Sequence, residues 1–217
     1  MCRILRRRAA QAGRKVERMD FQLTGIPGLD EITGGLPPNG LTMVVGTPGT
    51  GKTVLSMQMA MHAARNGGDA LILTVFSEPH EKLLRHMSSF SFYDKSLIGE
   101  KIQLLSLKSV LADGLDAILR FVLSSLEGKQ SPLIVLDGYR GLRTMLGERA
   151  SQQFLSAISS QLPYRDGWCI VSSEADPLDV GHYGELTSAD AIILLTRERA
   201  GATIFREIRI EKLRGHR

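Results

Sequence analysis

The residues Gly46-Thr47-Pro48-Gly49-Thr50-Gly51-Lys52-Thr53 read G-x-x-x-x-G-K-T, the spacing of a loop whose backbone N–H groups surround the phosphates of a nucleotide. Gly49 and Gly51 open backbone angles closed to other residues, so successive N–H groups can converge on one anion. Lys52 then sets an ammonium against the outer phosphates, and the Thr53 hydroxyl is a ligand for Mg²⁺. A helix beginning here adds the positive end of its dipole, so the expected binding set runs from Gly46 through Val54. The bland alternative is a Gly-rich turn that happens to precede a lysine.

Hydrolysis of a γ-phosphate needs a metal clamp, a group that orients water, and positive charge for the transition state. Asp137, closing the apolar run Leu133-Ile134-Val135-Leu136, is the expected second metal residue beside Thr53. Glu78 ends another apolar run and is the candidate for polarising water, against the plainer role of easing a helix dipole. Inside one subunit, positive charge beyond Lys52 is hard to find. Lys212 and Arg214, at the tail of the last strand, are either a solvated charged end or fingers reaching a neighbouring subunit's nucleotide. Ser172 and Ser173 end a strand and could sense phosphate, though half-buried strand serines are commoner. The five histidines show no metal-ligand spacing.

These groups need a scaffold that brings them to one edge. Leu41–Val45 followed by the glycine loop and the apolar stretch 54–64 gives strand, loop, helix, the order that favours the nucleotide reading. Residues 70–76, 101–107, 133–137, 168–173 and 191–195 read as strands, several as continuous apolar runs that imply burial on both faces of a parallel sheet. Helices are expected from Pro79, over 111–126 (Leu111, Leu115, Ile118, Leu119, Val122 and Leu126 at spacings of three and four) and around Phe154, Leu155 and Ile158. The alternation over Thr203–Glu211 predicts an antiparallel edge strand returning from a hairpin. Phe21–Gly40 is dense in turn formers and should form a lip before the first strand, with a share in the nucleotide pocket. The expected fold is therefore α/β, a mostly parallel twisted sheet flanked by helices with a C-terminal antiparallel hairpin.

At 217 residues, 43% hydrophobic and 23% charged, the chain suits one domain without staples. No apolar run approaches the roughly 20 residues that cross a bilayer. Cys2 and Cys169 sit in unrelated contexts, which fits a reducing cytoplasm better than a disulfide framework. The net charge of +4 is uneven: residues 1–18 hold seven cations against Glu17, or +6, leaving −2 for the rest. Any basic surface for nucleic acid or acidic lipid must therefore come mainly from this arm. We read 1–18 as a mobile basic arm or an extension ahead of the domain at 19–217; an organelle leader and a polyanion-binding arm are its rivals.

With these residues in place, Thr24-Gly25-Ile26-Pro27-Gly28-Leu29-Asp30-Glu31-Ile32-Thr33-Gly34-Gly35-Leu36-Pro37 and the loop GTPGTGKT resemble the opening of the KaiC-type branch of RecA-like ATPases, the circadian-clock ATPase family. The likeness continues through Phe76-Ser77-Glu78-Pro79, His86-Met87-Ser88-Ser89-Phe90, Asp137, His182-Tyr183-Gly184-Glu185 and Lys212-Leu213-Arg214-Gly215, spanning about residues 20 to 217. The resemblance implies a RecA-like sheet, a ring of subunits (often a hexamer) and ATP with Mg²⁺ at the interfaces. It further implies that Glu78 is the second of paired catalytic glutamates, that Lys212 and Arg214 are a trans-acting pair with Leu213 binding nucleotide between them, and that Ser89 contacts nucleotide. Ser77 stands where the first glutamate belongs, which implies slow turnover. With one ATPase module in place of two, a clock role is not implied. The expectation is a cytoplasmic regulatory ATPase whose nucleotide state gates a signalling partner. Its rivals are a nucleotide-gated scaffold with little turnover and a DNA-dependent recombination ATPase.

Overall fold

Residues that alternate across a strand usually divide core from solvent, but here both sets are apolar, and the computed structural model shows why. It describes residues 21–75, 79–174, 185–201 and 203–215. Seven strands form one sheet: β1 (Leu41–Gly46), β2 (Ala70–Thr74), β3 (Ile102–Ser106), β4 (Leu133–Asp137), β5 (Trp168–Glu174), β6 (Ala191–Ala200) and β7 (Thr203–Leu213). Their order is β3-β2-β4-β5-β1-β6-β7, parallel throughout except for the antiparallel β6–β7 pair.

Each face of the sheet carries its own core. Met43, Val45, Leu71, Leu73, Ile134 and Leu136 point to one side, where α4 (Leu115–Ser125), α5 (Tyr139–Leu146) and α6 (Glu148–Gln161) cover them. Val44, Ile72 and Val135 point to the other, under α2 (Lys52–Arg65) and α3 (His80–Met87). Burial on both faces is what turns a period-two strand into an unbroken apolar run. A short α7 (Glu185–Ser188) precedes β6.

The stretch before β1 holds α1 (Pro27–Thr33), pinned by Asp30, whose carboxylate accepts hydrogen bonds from Thr24 N–H, Thr24 Oγ1 and Gly25 N–H at 2.7–3.0 Å. It packs over α2, where Gln58 Nε2 donates to Gly25 O, and contributes no residue to the cavity described below. The lip is present, but its expected share in the pocket is not.

Three other elements differ from expectation. The helix expected over 111–126 is cut by Gly114, whose φ of 82° is left-handed, so Leu111 lies in a 3₁₀ turn (Leu111–Asp113) and α4 begins at Leu115. Leu111 still reaches the core from that turn, which is why the periodicity looked continuous. Helix α5 was not anticipated, because Arg140, Gly141 and Arg143 dilute its apolar side to Tyr139 and Leu142. Strand β6 runs on to Ala200 instead of stopping near Leu195, pairing with β7 as a two-stranded ribbon beyond the end of β1.

Candidate nucleotide-binding site

The C-terminal ends of β1, β4 and β5 meet at one edge of the sheet, and there the glycine loop turns into α2. Gly46 has no room for a side chain: a Cβ would stand 2.3 Å from Leu195 O. Gly49 and Gly51 have φ of 79° and 105°, the left-handed geometry that lets neighbouring N–H groups face one point. Thr50 braces the loop from within, its buried hydroxyl donating to Thr47 O at 2.9 Å. Helix α2 starts at Lys52 with no side-chain cap and no acid in its first turn, which leaves its leading N–H groups and dipole for an anion.

Lys52 Nζ donates to Gly46 O at 2.8 Å and Thr47 O at 3.0 Å. Half-burial holds its pKa below the ordinary lysine value, partly offset by the carboxylates of Glu174 and then Asp137. The Thr53 hydroxyl donates to Asp137 at 3.1 and 3.2 Å, joining two residues 84 positions apart. Ser172, almost wholly buried, donates a short hydrogen bond to Asp137 Oδ1 and accepts one from Gly138 N–H at 3.1 Å. Thus Asp137 is aimed at Thr53 by the neighbouring strand.

Around this group lies a cavity of about 1050 Å³, bounded on one side by Pro48–Leu55 and on the others by Phe90, Asp137, Arg140, Glu174 and Arg206 among others. That volume suits a nucleotide-sized ligand. The hydroxyl–carboxylate pair of Thr53 and Asp137 is hard-oxygen chemistry suited to Mg²⁺, and the uncapped helix start suits phosphate.

A family model described as "ATPase: KaiC" matches residues 23–217. The chain belongs to the KaiC ATPase family. Its fold is accordingly RecA-like, and the family is one of nucleotide-binding ATPases of the KaiC type. A circadian clock oscillator protein KaiC from Prochlorococcus marinus subsp. pastoris is 38% identical over 104 residues, covering 48% of this chain and 20% of that one. Circadian clock protein KaiC2 of Synechocystis is 33% identical over 79 residues, 36% of this chain and 14% of its own. The matched stretch thus spans a fifth or less of these relatives. The crystal structure of a KaiC-like protein from Pyrococcus horikoshii OT3 superposes with a TM-score of 0.76 at 25% identity, covering 91% of this chain and 90% of that one.

Among the expected site residues, Pro48, Gly49, Thr50, Gly51, Lys52, Thr53, Val54 and Asp137 line the KaiC-type cavity together. Ser89 is not among the cavity's lining residues, though it lies in sequence between Met87 and Phe90, which are; its hydroxyl donates to His86 O at 2.9 Å. Lys212, Leu213 and Arg214 lie at the opposite edge of the sheet. Lys212 Nζ donates to Thr187 O at 3.0 Å, Leu213 pairs with Ala191, and Arg214 forms an ion pair with Asp190 at 3.0 Å. Asp190 in turn accepts from Leu41 N–H, at the start of β1. A six-residue strand separates that point from Gly46, about 17 Å at the usual rise. Glu78, Ser77, the basic arm and the segment containing His182 lie outside the described residues.

Sequence reasoning missed Glu174, Arg140 and Arg206. The reading that positive charge beyond Lys52 is hard to find inside one subunit is corrected by Arg140 and Arg206, both on the cavity wall. Ser172-Ser173 had marked the right strand end, one residue short of Glu174. No local pattern could have found Arg206, which depends on how far β7 runs past β1.

Proposed function

We propose that this chain binds ATP with Mg²⁺ in the cavity and hydrolyses it, working as a homo-oligomeric ring, a hexamer by family likeness, whose nucleotide state is read by a regulatory or signalling protein in the cytoplasm. The observation that carries this reading is the Thr53–Asp137–Ser172 chain of hydrogen bonds beside an uncapped helix start. The glycine loop and the first turn of α2 hold the phosphates, and Lys52 exchanges its two loop carbonyls for phosphate oxygens. Bound magnesium would neutralise charge between the outer phosphates. Asp137 and Thr53 would hold that ion, with Ser172 fixing the carboxylate's direction. Glu78 orients water as the one glutamate at a position where the family pattern has two, so turnover is slow.

Lys212, Leu213 and Arg214 serve the cavity of an adjoining copy, since they sit far from their own. Phosphate release measured together with light scattering tests the reading. The expected result is magnesium-dependent release that collapses in Lys52→Ala and Glu78→Gln, with larger particles in ATP. Mixing Lys52→Ala with Arg214→Ala chains should recover partial activity through sites built from two copies. Particles that stay monomeric in saturating ATP overturn the shared site. ATP uptake without phosphate release in the wild type would favour the nucleotide-gated scaffold, the reading to which Ser77 points.

A further inference from the structure

Helix α5 presents two unlike sides. Tyr139 and Leu142 are buried against the sheet, while Arg140, Gly141 and Thr144 line the cavity. Arg140 Nη1 stands 3.3 Å from Glu174 Oε2, with the two side chains 65% and 44% exposed. An ion pair so open to water adds little to stability. Glu174 is the last residue of β5, in register with Gly46, whose carbonyl accepts from Lys52. One carboxylate therefore stands between two cations that both face the same cavity, beside the loop that receives phosphates.

We propose that Arg140 is a ligand for the terminal phosphate of a nucleoside triphosphate, supplied by the same chain, and that Glu174 is the counter-ion that parks it until that phosphate arrives. The proposal rests on the nucleotide reading above. A terminal phosphate carries more charge than a carboxylate and offers the planar guanidinium a two-pronged partner, so it displaces Glu174 from Arg140. Gly141, next to Arg140 on the cavity side, puts no side chain in the way. A diphosphate lacks the terminal group and leaves the Arg140–Glu174 pair closed. The pair thus discriminates triphosphate from diphosphate, and α5 carries the difference into the fold, because its other side is packed in the core.

Calorimetric titration of the full chain with Mg·ATP and with Mg·ADP tests this, comparing wild type with Arg140→Gln, Arg140→Lys and Glu174→Gln. Arg140→Gln should weaken ATP about 10-fold or more and leave ADP unchanged, the loss expected for one hydrogen-bonded contact to a charged group. Arg140→Lys should restore part of the loss, keeping charge without the fork. Glu174→Gln should tighten ATP more than ADP, because only the triphosphate competes with that carboxylate for Arg140. Equal losses for both nucleotides in Arg140→Gln, or no loss for either, overturn the proposal. So does a Glu174→Gln chain whose ATP affinity falls. A wild-type chain that takes up neither nucleotide refutes the nucleotide reading itself, and this inference with it. A chain that takes up ADP and ATP, with a ratio Arg140→Gln does not change, refutes this inference alone.

Discussion

Replacing Ser172 by alanine removes one oxygen and separates two roles of the site. The hydroxyl donates to Asp137 Oδ1 and accepts from Gly138 N–H at 3.1 Å, and the residue is about 1% exposed. Losing a hydrogen bond to a charged group costs about 1.5–3 kcal/mol, and an amide left without a partner costs about 1–3. The two share one atom and do not add fully, so the expected loss is about 2–4 kcal/mol. For a chain of this size each kcal/mol moves Tm by about 2–4 °C, giving a fall of roughly 4–16 °C. The carboxylate also loses its aim at Thr53, and outer-sphere partners of this kind are worth about 10–100-fold in metal affinity. Thermal melts with and without Mg·ATP, together with Mg²⁺ titrations of nucleotide binding, read both effects. Ser173→Ala is the control: it is also buried, but by the alternation of β5 it points to the other side of the sheet, so the Mg²⁺ midpoint should stay put. If Ser172→Ala melts earlier yet needs no more Mg²⁺, Asp137 is positioned by its strand alone and the reasoning fails.

Gly46→Ala should destabilise by several kcal/mol in urea unfolding, because its methyl would stand 2.3 Å from the Leu195 carbonyl, which is held in the sheet; wild-type stability would contradict the close approach. Met59→Ala, fully buried under the sheet, should cost about 2–5 kcal/mol without altering the nucleotide affinity of the folded protein. Burial pushes the Cys169 thiol up to about 12 from 9.0, so native protein at pH 8 should resist alkylation at this site and label only on unfolding, as peptide mass spectrometry would read. The folded state keeps that proton longer than the unfolded chain, so this thiol's contribution is full below pH 9 and falls as pH rises towards 12. Lys52 has the opposite sign: its pKa is lowered on folding, chiefly by burial, so its charged form penalises the fold at neutral pH and the penalty fades as pH climbs towards 10.5. The stability of wild type relative to Lys52→Met should therefore improve with rising pH, and a flat difference would refute the desolvation.

What could be read from the residues follows from how local each signal is. The phosphate loop is eight consecutive residues whose glycines are demanded by backbone angles, and Asp137 closes a run whose burial on both faces fixes it as a central strand. Both are statements about neighbours in sequence. Arg140 and Glu174 are legible only once β5 is known to lie between β1 and β4, because their meeting depends on strand order. Helix α5 shows the same limit, since two buried residues on a two-turn helix leave too little periodicity to detect. Gly114 marks the converse case, where the apolar spacing was real but one left-handed residue divided it between two elements.

The placement of the cations carries a consequence for assembly. Arg140 and Arg206 belong to the edge of the sheet that bears the phosphate loop, whereas Lys212 and Arg214 belong to the edge where β1 begins. If the second pair serves a neighbour's nucleotide, the surface that gives and the surface that receives are different patches of one molecule. A contact of that kind is head-to-tail, and closes into a ring when the rotation per subunit divides a full turn. A two-fold dimer would instead place like patch on like patch, and one that brings loop edge to loop edge leaves Arg214 on the outside paired with its own Asp190. Arg214→Ala would then melt almost as wild type, since an exposed pair contributes about 0–1 kcal/mol, and would leave ATP-dependent assembly intact. A head-to-tail ring predicts the same melt for the isolated subunit but the loss of assembly in ATP in Arg214→Ala, so light scattering separates the two geometries, with the unchanged Tm showing that the variant is folded.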